Sequence, residues 1–236
     1  MPKPAVLLIH GFTSHRSSLE AVIPELDKRG IEWHYPILAG HGTTPGDLVN
    51  ARWEDWQYDV EQALQYLQPK TRPILIIALS MGALLALELA AKYPKQILGL
   101  VLLSSCLHFY SRLARYTRVV SRVIPRVPNP SIAKFSSFAY AKNDQGYAWF
   151  PSTAFRHFWL RTQHFDSVLE KVTQPVRIIH SHNDKVAAPS GARHIYDTIP
   201  SADKELVWLE RSGHEILLDC ETDRVLEEIF KFPLLQ

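Results

Sequence analysis

The chain of 236 residues is 46% hydrophobic and 21% charged, which excludes the composition of disordered chains and fits one folded domain, with or without an insertion, at roughly 150 residues per domain. Its 26 basic and 24 acidic side chains leave a net charge of +2, so the molecule as a whole has no pull towards nucleic acid. Two cysteines, Cys106 and Cys220, cannot build a disulfide framework; both stand in apolar sequence and are expected to be reduced and buried. Met1-Pro-Lys-Pro leads straight into an apolar run without a cleavage-type signal, and no uncharged run reaches the ~18 residues of a membrane span. A cytoplasmic address is expected.

Residues 5–9 (AVLLI) form an apolar run that suits a strand buried on both faces of a parallel sheet. Residues 17–29 show helical spacing in Leu19, Val22, Ile23 and Leu26, with Gly30 as the stop. A second strand is expected over 31–35 and a loop over 39–47 (AGHGTTPGD). Trp53, Trp56, Val60, Ala63, Leu64 and Leu67 recur at helical spacing and should end before Pro69. Residues 74–79 (ILIIAL) read as a strand running through Ser80-Met81-Gly82 into the helix former ALLALELAAKY. Further strands are expected at 98–103, 176–180 and 205–209. Alternating strands and helices predict an α/β fold with a mostly parallel sheet of about six strands.

Residues 106–170 interrupt this alternation. The part from 106 to 165 shows no strand pattern, has Gly146 as its single glycine and holds 13 of the 25 aromatic residues. It is expected to be a helical cap or pocket wall inserted into a core made of 1–105 and 171–236. Arg112, Arg115, Arg118, Arg122 and Arg126 fall at helical spacing, and no acidic residue lies between Glu88 and Asp144. Two readings stand for this stripe: a solvated cap face, or attraction to an anionic membrane surface or charged substrate. The intervening Leu113, Val119, Val120 and Val123 are expected to face the pocket.

Ser80, between a buried strand and a helix, stands where a serine is held on a tight turn with its hydroxyl exposed, and Ala78 and Gly82 are small enough for the close approach. A serine becomes a useful nucleophile when an imidazole accepts its proton and a carboxylate orients that imidazole. Asp184 follows the 176–180 strand and His214 follows the 205–209 strand, giving the order Ser, acid, His. Asp166 and Asp144 are the rival acids. Two backbone N–H groups are needed for the oxyanion, and Met81 and Phe12 occupy the positions that supply them. His180-x-His182-x-Asp184 also resembles the start of a metal site, without a second His/Asp cluster to complete it. His10 and His41 are read as loop anchors.

LLIHGF at 7–12, ALSMG at 78–82, HNDKVAAP at 182–189 and SGHEILLD at 212–219 together resemble the α/β-hydrolase family. The GHG at 40–42, RWEDWQYDV and the C-terminal run are most similar to its bacterial carboxylesterase and monoacylglycerol lipase branch. The resemblance implies Ser80 as nucleophile, Asp184 as acid, His214 as base, and Phe12 and Met81 as oxyanion donors. It implies a small-molecule ester substrate cleaved through an acyl-enzyme, with no cofactor, metal or nucleic acid. With an aromatic cap, short- to medium-chain acyl esters or monoacylglycerols are expected. An acyl thioesterase or acyltransferase, or a non-catalytic receptor on the same fold, is the alternative.

Overall fold

In a computed structural model, residues 4–67 and 73–235 are described; the Met1-Pro-Lys start and the Pro69 stop lie outside them. The first half runs β1 (Ala5–Ile9), α1 (Ser17–Glu20), α2 (Ile23–Lys28), β2 (Trp33–His34), α3 (Trp53–Leu67), β3 (Ile74–Leu79), α4 (Met81–Lys92) and β4 (Ile97–Leu103). The insertion carries α5 (Thr117–Val120), β5 (Arg126–Pro128), α6 (Phe138–Ala141), β6 (Trp149–Pro151), α7 (Ser152–Thr162) and α8 (Asp166–Leu169). The chain then returns through β7 (Val176–Ser181), α9 (Pro189–Thr198), β8 (Lys204–Leu209) and α10 (Thr222–Phe230).

Among the described residues, six strands form one sheet in the order β2-β1-β3-β4-β7-β8, every pair parallel. Alternation along the strands splits the core in two. Leu7, Ile9, Ile76 and Leu102 face α3, α4 and α9 on one side, while Val6, Leu8, Ile77 and Val101 face α1, α2 and α10 on the other. Both faces are covered, which is why the strands read as continuous apolar runs. α4 is buried from Met81 to Ala90, because α3, α8 and the cap close over it.

Four expectations are corrected. The 17–29 helix is two short helices: Pro24, in the first turn of α2, has no N–H to continue the ladder of α1. The 31–35 strand shrinks to two residues because it pairs on one side only, at the sheet edge. The cap is not purely helical: β5 and β6 pair antiparallel, three residues each, too short to leave a periodic signal. Cys106 is buried but Cys220 is half-buried, and both are free thiols.

The arginine stripe is also not one helix. Its members come from a 3-10 turn at Arg112–Tyr116, from α5, from the turn after it and from β5. No described helix is long and apolar enough to cross a membrane.

Candidate active site

Ser80 sits between β3 and α4 at φ 59° and ψ −117°, a conformation that costs a side-chain-bearing residue on the order of 1–3 kcal/mol and persists where its surroundings enforce it. Ser80 N–H donates to the Leu103 carbonyl at 2.9 Å, tying the turn to β4. Gly82 is required for the close crossing: a Cβ there would lie 2.5 Å from the Ile9 carbonyl oxygen and 2.6 Å from that of His10. The turn therefore pushes the Ser80 hydroxyl out at the C-terminal ends of the strands, where parallel sheets place their ligand sites.

There it meets two residues from distant loops. Ser80 Oγ lies 2.9 Å from His214 Nε2, and His214 Nδ1 lies 2.7 Å from Asp184 Oδ2. All three side chains are buried. Asp184 Oδ1 accepts the N–H groups of Val186 at 2.8 Å and Ala187 at 2.9 Å, so both carboxylate oxygens are engaged and the residue cannot rotate away. Burial by itself would raise the Asp184 pKa; the His214 charge and hydrogen bond, with His180 and Val186 N–H, reverse this and hold it below the usual carboxylate range. Burial likewise pulls His214 down, and the Asp184 carboxylate outweighs it, leaving the imidazole above the ordinary histidine range. The arrangement is a proton acceptor aimed at a hydroxyl, with a fixed anion behind it.

Phe12 N–H and Met81 N–H have no acceptor among the described residues, and Met81 stands in the first turn of α4, where no intrahelical acceptor exists. The Phe12 ring is packed among Trp56, Phe150, Phe155 and Phe158 at centroid distances of 5.4–6.1 Å, so only its backbone is available. His10 and His41 hold this loop as neutral imidazoles. His10 Nε2 accepts Leu38 N–H at 3.1 Å and His41 Nε2 accepts Thr13 N–H at 3.1 Å, while each Nδ1 faces a carbonyl. Burial lowers their pKa values to about 4 and about 3.

Ser80 and His214 open into a cavity of about 670 Å³ under the cap, whose lining includes Phe109, Phe150, Phe155 and Phe158 beside Leu113 and Val120. Residues 1–221 match the family described as serine aminopeptidase, S33 (Hydrolase_4). The chain belongs to this family. The S33 hydrolase is 28% identical to a carboxylesterase of Bacillus subtilis (strain 168), over 97% of this chain and 91% of the relative. It is also 28% identical to a thermostable monoacylglycerol lipase of Bacillus sp. (strain H-257), over 96% and 89%. A solved structure of metagenome-derived lipolytic enzymes (LipS and LipT) superposes with TM-score 0.90 at 27% identity, covering 98% of this chain and 93% of that one. The fold is that of the α/β-hydrolases, and the chain is an enzyme of a hydrolase family whose relatives compared above are a carboxylesterase and lipases.

The rival acids of the S33 hydrolase lie elsewhere: Asp144 pairs with Lys134 at 2.5 Å and Asp166 with His194 at 2.7 Å. His182 stacks on Trp208 with ring centroids 4.3 Å apart, leaving His180 beside Asp184. Among the described residues no group of three or more His, Cys, Asp or Glu could hold a metal.

Three supporting residues escaped the sequence reading. Asp219 Oδ2 accepts Gly213 N–H at 2.8 Å and Ser136 N–H at 2.6 Å, and Ser136 Oγ donates to Oδ1; Glu221 Oε2 accepts Arg211 and Ser212 N–H at 2.9 and 2.8 Å. These carboxylates clamp the loop that carries His214. Glu215, fully buried beside His214 with Oε2 unpartnered, has its pKa raised by burial. A charged residue directly before the apolar run ILL was the only local sign of it.

Proposed function

We propose that the chain hydrolyses carboxylic esters of short- to medium-chain acyl groups, monoacylglycerols included, through an acyl-enzyme on Ser80. The chain of contacts from Asp184 through His214 to the Ser80 hydroxyl, opening into an aromatic-walled cavity, carries this reading. Ser80 Oγ attacks the ester carbonyl while its proton passes to His214 Nε2. Phe12 N–H and Met81 N–H stabilise the resulting oxyanion. His214 returns the proton to the departing alcohol, then takes one from the water that cleaves the acyl-enzyme, and Asp184 keeps the imidazole in the required tautomer. The carboxylesterase and monoacylglycerol lipase names of the relatives support the ester class. A cytoplasmic address belongs to the same reading, and the two free thiols agree with it.

The test is turnover of a series of p-nitrophenyl acyl esters by the wild type beside Ser80→Ala. Activity that peaks at one acyl length and disappears in the variant is expected. Absence of turnover with every ester, together with labelling of Ser80 by a fluorophosphonate probe, would replace ester hydrolysis by thioester cleavage or acyl transfer.

A further inference from the structure

The outer surface of the cap combines two properties that solvated protein surfaces keep apart. Between Thr117 and its neighbours the chain turns one set of residues inward: Leu113, Tyr116, Val120 and Ile124 line the catalytic cavity. The alternate set does not line it and faces out: Arg112, Arg115, Arg118 and Arg122, with Val119 and Val123. This corrects the expectation that Val119 and Val123 face the pocket. They are 64% and 74% exposed, and at the mouth of the cavity Leu113, which lines it, is still 73% exposed. Clusters of this kind on a single-chain surface mark contact sites.

The charges say what kind of contact. Among the described residues none of the five arginines pairs with a carboxylate, and the sequence has no acidic residue from 89 to 143. Guanidinium groups instead lie over rings of the cap itself, Arg115 over Tyr116 at 4.8 Å from the centroid and Arg126, which lines the cavity, over Trp149 at 4.7 Å. Unneutralised arginines interleaved with protruding aliphatic and aromatic side chains match an anionic lipid surface, where the cations meet phosphates and the apolar groups enter the acyl boundary. The remainder of the cap is fastened to the core: Tyr147 N–H donates to Thr13 O at 2.9 Å, Asn129 Nδ2 to Thr13 Oγ1 at 3.0 Å, and Arg161 pairs with Glu88.

We infer that the outward face of residues 112–123 docks on anionic lipid bilayers and presents the mouth of the catalytic cavity to the membrane interface. Docking is a binding event separate from the chemistry, so it is measured with Ser80→Ala protein, which leaves any lipid intact.

The probes are phosphatidylcholine vesicles and equimolar phosphatidylcholine–phosphatidylglycerol vesicles, read by co-sedimentation. Binding is expected to the second only, and to be lost as ionic strength approaches about 1 M, where the screening length is about 3 Å. A basic side chain at an anionic surface contributes about fivefold in partitioning, so Arg115→Glu with Arg118→Glu should weaken it by more than about 25-fold. Val119→Ser with Val123→Ser should weaken binding at low ionic strength, where the parent protein binds. Thermal unfolding of both double variants, unchanged from the parent, shows that the fold is intact. Equal binding to both vesicles, or binding that ignores salt and charge reversal, overturns the inference. So does a concentration-dependent dimer that the valine substitutions dissolve in the absence of vesicle binding, which would assign the face to a second copy of the chain.

Discussion

The backbone carbonyl of Lys134, in the cap, accepts the N–H of His214 at 2.7 Å. The same oxygen also takes Glu215 N–H at 3.1 Å, and a Cβ on Gly213 would lie 2.5 Å from it. The imidazole-bearing residue is thus held by the insertion as well as by the loop after β8.

Asp219 reinforces that junction, because its carboxylate bridges Ser136 of the cap and Gly213 of the histidine loop. Asp219→Ala strands several donors at once, at about 1–3 kcal/mol for each buried group left unsatisfied. We expect a loss of about 3 kcal/mol in urea unfolding and a fall in kcat larger than the change in KM, since His214 loses its registration against Ser80. A variant with unchanged kcat would show that Lys134 alone suffices to place the base.

The pH profile should report His214. A base must be neutral to accept the Ser80 proton, and the Asp184 carboxylate holds this imidazole above its ordinary range, so the acid limb of kcat/KM should lie above pH ~6.5. Asp184→Asn removes the anion: kcat should fall by a factor on the order of 10⁴, and the acid limb should move to lower pH. An acid limb that stays in place would mean that another group controls it.

Acid stability should be governed by His10 and His41. Both are buried and neutral, with pKa values of about 4 and about 3, below the unfolded value. A depressed pKa contributes stability above the unfolded pKa, and that stability drains away as pH falls from ~6.5 towards the folded values. At pH 5 each imidazole should remove on the order of 2 kcal/mol relative to pH 7. His214 works in the opposite sense, its raised pKa adding stability below pH ~6.5 that is lost as pH rises through the folded value. Urea midpoints measured from pH 7 to pH 4.5 check the balance; a flat profile would contradict the buried neutral state of both histidines.

What could be read in advance follows from how local each signal is. β1, β3 and α3 have the bounds expected from the sequence because their core-facing residues recur on a fixed period. Ser80, Asp184 and His214 were identifiable because each lies just past a strand whose apolar run is unmistakable. The clamp was not legible: Asp219 and Ser136 are 83 positions apart, and nothing near either announces the other. β5 and β6 failed for the same reason, since their pairing is their only organising feature. Glu215 feels the charges of the Lys134 and Asp144 pair of the insertion, a neighbourhood that no periodicity encodes.

β4 and β7 lie side by side, Leu100 opposite Val176, although the whole cap separates them along the chain. The two ends of the insertion are therefore pinned by the sheet, and the entropy of closing the excursion grows only by about 0.6 kcal/mol for each doubling of its length. The cap is in that sense an exchangeable module. Grafting a longer, shorter or differently faced excursion between these strands leaves Ser80, on the turn between β3 and α4, where it is. The graft must return a carbonyl oxygen to the place of Lys134 and the donors of Ser136 to Asp219, and keep the backbone bonds from His108 and Tyr110 to the Asp184 loop, so that the imidazole and its carboxylate keep their anchors.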